Sequence, residues 1–305
     1  MDILRTPDER FENLPGYPFR PNYLEIPAGD VSNPGSTLRV HYVDEGPAAA
    51  PVVLLLHGEP SWSYLYRKMI PPLVAAGYRA VAPDMVGFGR SDKPAQTTDY
   101  TYQRVVAWMT ATIEALALQD ITLFCQDWGG LIGLRILAQQ GDRFSRLIAA
   151  NTGLPVGGEL PEAFFQWQSF SQKVSKLPIA RIINGSTVSS LSREILAAYE
   201  APFPDETYKA GARVMPALVP TDPDDPEAGI NRDLWRRKLV KWPKPVLTTF
   251  SDSDPITGGG QQIFQRLMPG AKGQPHVTIE AAGHFLQEDK GEELAKVVVD
   301  FIRST

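Results

Sequence analysis

A single cysteine, Cys125, stands among 305 residues, which excludes an internal disulfide framework and a cysteine-rich metal site. Histidine is almost as scarce. His41, His57, His276 and His284 are scattered, with no pair spaced to share a helix face, so no metal is expected. An excess of positive charge is missing too. With 30 Lys and Arg against 35 Asp and Glu, the net charge is −5, and no basic stripe offers itself to nucleic acid. No apolar run approaches the roughly 20 residues that span a bilayer. The first residues, MDILRTPDERFENLPGYPF, are charged from the second onward and lack the apolar stretch of a signal peptide. A cytoplasmic globular protein is therefore expected, with no membrane and no nucleic acid among its partners.

What is present is an alternation. Pro51–His57 is short, rich in β-formers and ends at a glycine, as a strand buried on both faces does. Tyr78–Ala82, Ile121–Cys125, Arg146–Ala150, Pro245–Phe250 and His276–Glu280 have the same character, and Leu24–Ile26 with Leu38–Val43 forms a leading antiparallel hairpin. Helical patterns fall between and after them at Tyr64–Ala76, Tyr102–Leu118, Leu131–Gln140 and Glu292–Ile302. Such alternation predicts an α/β fold with a mostly parallel sheet flanked by helices. It stops after Asn151. From Pro155 to Ile230 the pattern is helical, as in Glu162–Lys176 and Leu191–Glu200, with proline-rich joints. An all-helical insertion between two stretches of parallel sheet predicts a cap, residues 155–230, over a core made of 1–154 and 231–305.

The segment Ile121-Thr-Leu-Phe-Cys125-Gln-Asp127-Trp128-Gly129-Gly130 carries the chemistry. A strand, a sharp turn and a helix, with small residues two positions either side of a polar one, is the nucleophile-elbow pattern. Here Cys125 replaces the first glycine and Asp127 stands where serine is usual. A serine alkylated at an sp³ carbon becomes an ether, which water does not readily cleave. A carboxylate becomes an ester, hydrolysable at its own Cγ, and it needs no deprotonation first. Asp127 therefore points to an alkylating substrate, an alkyl halide or an epoxide. The competing reading is that Asp127 merely caps the helix that follows.

Elbow hydrolases place an acid and then a histidine after the nucleophile. The loop Ser251-Asp252-Ser253-Asp254 follows one expected strand and supplies two candidate acids, and Ala282-Gly-His284-Phe follows the next. The loop Gly58-Glu59-Pro60 follows the Pro51–His57 strand, which assigns an oxyanion hole to the backbone N–H groups of Glu59 and Trp128. His57 then orients that loop, and Cys125 is a small buried residue.

At this point the chain resembles the haloalkane dehalogenases of the α/β-hydrolase fold. The resemblance rests on His57-Gly-Glu-Pro-Ser-Trp-Ser-Tyr-Leu-Tyr-Arg67, Cys125-Gln-Asp-Trp-Gly-Gly130, Ala201-Pro-Phe-Pro-Asp205 and Ala282-Gly-His-Phe-Leu-Gln-Glu288, and it covers nearly the whole chain. It implies a triad of Asp127 as nucleophile, His284 as general base and an aspartate as acid. The family spacing to Gly258 places that acid at Asp254, with Asp252 as the alternative. It also implies two halide-binding tryptophans: Trp128, and a second on the first cap helix, for which Trp167 is the candidate. The substrate is then a small-molecule haloalkane, converted to an alcohol, a halide ion and a proton without a cofactor, and a monomer is expected.

Two indoles suit a halide because an indole N–H donates and cannot accept, and it sits in an otherwise apolar side chain. An epoxide hydrolase shares the aspartate elbow and is the alternative. It needs donors to an opening alkoxide, for which Tyr199 and Tyr208 are candidates. A non-catalytic receptor on the same fold is the third possibility, and the intact Asp–Asp–His order argues against it.

Overall fold

The computed structural model describes residues 1–305. Eight strands form one sheet: β1 (Asn22–Pro27), β2 (Thr37–Glu45), β3 (Val52–Leu56), β4 (Arg79–Pro83), β5 (Ile121–Gln126), β6 (Phe144–Ala150), β7 (Val246–Ser251) and β8 (Val277–Ile279). Their spatial order is β1-β2-β4-β3-β5-β6-β7-β8. The β1–β2 and β2–β4 pairs are antiparallel, and every pair from β4 to β8 is parallel. Every residue of β3 and β5 is buried, the reason these strands are mostly apolar rather than alternating. From β3 the chain steps first outward to β4 and then back across to β5. That reversal opens a crevice at the carboxyl ends of the strands, the place where ligands bind in sheets of this kind.

Helices α1 (Ile70–Ala75), α2 (Tyr102–Ala115) and α3 (Trp128–Gln139) connect the first strands. The expected helix Tyr64–Ala76 is broken into a short three-ten turn at Ser63–Tyr66 and α1. Pro71 and Pro72 lack a backbone N–H and are tolerated only in a first turn, so the α-helix has to start beside them.

Between β6 and β7 there is no strand. The segment holds α4 (Glu162–Lys173), α5 (Ile179–Gly185), α6 (Arg193–Glu200), α7 (Ala210–Val214) and α8 (Pro226–Arg237). The boundary expected after residue 230 falls inside α8, which is a continuous helix fastened to the sheet's flank. Arg135 of α3 donates to Glu227 Oε2 at 2.6 Å and to Asn231 Oδ1 at 2.7 Å, and its guanidinium lies 3.5 Å over the Tyr102 ring.

Helices α9 (Gln261–Leu267) and α10 (Leu286–Ser304) complete the fold. The last helix starts six residues before the expected Glu292, with a kink at Lys290. Gly291 lies there because a Cβ would come within 2.5 Å of Lys68 Cβ. Near its start Glu288 takes a bidentate bond from Arg67, 2.6 Å on each arm, and a third from the Tyr199 hydroxyl of α6 at 2.6 Å. All three side chains are buried, so one ion pair joins the loop after β3, the inserted helices and the last helix.

Candidate active site

Asp127 leaves β5 and opens α3 at φ 51° and ψ −127°, a left-handed conformation that costs a non-glycine residue about 1–3 kcal/mol. Its surroundings hold it there. The Asp127 N–H donates to Asn151 O at 3.1 Å, and its carbonyl accepts from Thr152 Oγ1 at 2.7 Å. Gly129 and Gly130 make the turn sterically feasible: a Cβ on the first would lie 2.1 Å from Leu56 O, and one on the second 1.9 Å from Thr152 Oγ1. The Asp127 carboxylate makes no capping bond to α3, so the helix-cap reading fails. Instead Oδ1 accepts from the Glu59 N–H at 2.8 Å, and Oδ2 lies 3.4 Å from His284 Nε2. The Trp128 N–H opens α3 and, like every N–H of a first helical turn, has no intrahelical acceptor.

His284 is buried in the loop after β8, with Nδ1 2.9 Å from Asp254 Oδ2. Burial alone would lower its pKa. The Asp254 charge and the bonds to Asp127 and Asp254 outweigh burial and raise it to about 10. Asp254 answers in the opposite sense. Burial pushes its carboxyl up, but the His284 charge and bonds from His284, Thr257 and Ile256 hold it at about 2. Asp252 does not touch the histidine. It is exposed and accepts from the Ala281 and Ala282 N–H groups, bracing the turn after β8.

Above these groups lies a cavity of about 730 Å³ whose wall includes Asp127, Trp128, Phe164, Trp167, Trp235 and His284. The six indoles divide cleanly. Trp62, Trp108 and Trp235 donate to the carbonyls of Ala198, Ala28 and Leu154, and Trp242 is buried with no partner. Trp128 and Trp167 stand on the cavity wall, and neither indole donates to any protein group. The proposed epoxide donors are elsewhere: Tyr199 is bonded to Glu288, and Tyr208 does not line the cavity. Glu59 reaches Asp127 through its backbone. Burial, helped by the Asp127 charge, pushes its carboxyl well above the usual range, and its Oε1 has no partner.

Residues 51–291 match the family model of the alpha/beta hydrolase fold. The chain is 58% identical to a haloalkane dehalogenase of Psychrobacter cryohalolentis over 99% of its length and 98% of that protein's. It is 53% identical to haloalkane dehalogenase 1 of Mycobacterium tuberculosis, with full coverage of both chains. The chain belongs to the haloalkane dehalogenases. These enzymes are hydrolases acting on carbon–halide bonds. A solved tetrameric haloalkane dehalogenase of Paraglaciecola agarilytica superimposes with a TM-score of 0.88 at 38% identity, covering 97% of each chain. No helix is long and apolar enough to cross a membrane.

Within this dehalogenase site, two residues escape sequence reasoning. Asn151, at the end of β6, donates to Ser251 Oγ, Gly283 O and His284 O, and accepts from the Ser251 N–H, pinning the loops of β7 and β8 together. Gln126, beside the nucleophile, donates to His284 O at 3.1 Å and has the same nitrogen 3.1 Å from His284 Nε2. The one available signal was position: a polar amide at the carboxyl end of an otherwise apolar strand. Two minor expectations hold. His57 fixes its loop by bonding Gly58 O and accepting from the Met85 N–H. Burial pushes the Cys125 thiol far up, so it is no nucleophile.

Proposed function

We propose that Asp127 attacks the halogen-bearing carbon in line. The carboxylate oxygen bonds to carbon, and halide departs with the electron pair toward the N–H groups of Trp128 and Trp167. His284, held by Asp254, then removes a proton from water, whose oxygen adds to Cγ of the ester. The Glu59 and Trp128 backbone N–H groups hold the oxyanion until the alcohol leaves. The observation that carries this reading is the pair of indole N–H groups without acceptors on the wall that also carries Asp127. An alkoxide would call for an acid or phenol there, and a halide calls for donors alone.

The assignment of the acid has a direct test. Asp254→Ala should slow bromide release from 1-bromobutane by about 10²–10⁴-fold, the scale of a lost base or its orienting group. Asp252→Ala should remain within a few-fold of the parent, because it removes turn bonds on an exposed loop. The reverse ranking would move the acid to Asp252. We further propose that residues 155–230 act as the cap that closes the pocket, with α8 splinting it to the core. A cytoplasmic location fits the single buried cysteine, and we propose a monomer. Sedimentation of the purified protein checks the monomer, and a tetramer would refute it.

A further inference from the structure

The mouth of the cavity is basic. Lining residues that are also exposed mark where it opens, and they include Arg232 and Arg236 of α8, and Arg266, Ile263 and Leu267 of α9. None of the three arginines pairs with an acid. Arg232 donates one bond, to Val156 O at 2.8 Å, and one carboxylate, Glu159, shares the rim with them. Arg232 and Arg236 are four apart on one helix face, an arrangement of like charges that weakens a helix. The helix dipole accounts for basic residues in a last turn, and Arg237 there pairs with Asp233 at 3.6 Å. It does not account for Arg232 in the helix middle. On a chain of net charge −5, an excess of cations around one opening needs a ligand-based reason.

We propose that this site accepts haloalkanes bearing an anionic tail, of the class of ω-haloalkanoates. The halogen end reaches Trp128 and Trp167, the alkyl chain lies along the apolar wall, and the carboxylate meets the rim arginines. Guanidinium groups bind carboxylates through paired N–H donors, which suits an amphiphile lying across the opening. A cavity of about 730 Å³ is sized for a ligand much larger than a two-carbon halide. The chemistry is otherwise the same: Asp127 forms the ester, halide leaves with its electron pair, and water returns an ω-hydroxyalkanoate and a proton. The proposal rests on the assignment of Asp127 and the tryptophans above.

The test measures bromide release from a homologous series of ω-bromoalkanoates and from 1-bromoalkanes of matching length. The parent enzyme should turn over both, with the best bromoalkanoate ahead of its neutral counterpart in kcat/KM at low salt. In the Arg236→Gln/Arg266→Gln double variant, the ratio of the two kcat/KM values should fall about tenfold, mainly through KM. High salt should erode the same preference, because exposed charges are screened. Turnover of bromoalkanes alone would overturn the proposal, as would an unchanged ratio in the variant. If the parent hydrolyses neither series, the assignment of the nucleophile fails instead.

Discussion

His284→Phe enzyme mixed with 1,2-dibromoethane should release no more than one bromide per chain and gain the mass of one bromoethyl group. A carboxylate nucleophile requires no base, so the first half-reaction survives the loss of the imidazole, and the ester on Asp127 then waits for a water that nothing activates. Steady-state turnover should fall by about 10²–10⁴-fold. Intact-mass spectrometry, followed by peptide mapping to Asp127, reads the result. Continued turnover, or an enzyme that never acquires the adduct, would remove His284 from the role of base. The same geometry predicts when the proton leaves the parent enzyme. Facing two carboxylates, His284 stays protonated up to about pH 10. An alkylated Asp127 carries no charge and no longer favours Nε2–H, so the pKa drops and the imidazole becomes a base. A pH indicator should therefore register proton release with ester formation, ahead of alcohol release.

The second large effect belongs to Trp167→Phe. The change keeps an aromatic ring against Phe170 and removes the N–H. Losing one donor aimed at a developing charge costs about 10²–10³-fold in the step it serves. Carbon–halogen cleavage should slow by that order, while hydrolysis of an ester already formed should keep its rate. Chlorinated substrates should suffer more than brominated ones, since chloride is the poorer leaving group. Bromide should quench the parent's tryptophan fluorescence saturably, and much less in the variant. Single-turnover rates on 1-chlorobutane and 1-bromobutane decide it. Unchanged chloroalkane cleavage would make Trp167 a packing residue.

The elbow was legible in the sequence because its signal is local. A buried strand, Asp127 and two glycines are contiguous, and the steric demand on Gly129 and Gly130 is met by residues already in the pattern. The parallel sheet was legible for a similar reason, since strands buried on both faces have no polar alternation to confuse them. Asn151 and Gln126 were not, because their bonds reach residues 100 or more positions away and no spacing rule links them. Tyr199 was a candidate donor to substrate by its place in the inserted helices. Its hydroxyl turns instead to Glu288, a partner 89 positions along the chain. The break in Tyr64–Ala76 could have been anticipated from Pro71 and Pro72, whereas the continuity of α8 past 230 depends on its fastening to Arg135.

Asp127, His284, Asp254 and Trp128 all stand on loops or helix ends of the sheet, and Trp167 alone comes from the segment between β6 and β7. On the proposed mechanism, every group that hydrolyses the ester stands on the core, and the inserted segment contributes one donor, to carbon–halogen cleavage alone. A change confined to the inserted helices can alter which halide departs, and how readily, without disturbing the hydrolysis that follows. Such a layout is modular: variation in one module explores new substrates while the other preserves turnover, and exchange of the whole insertion with a relative's is a single genetic event.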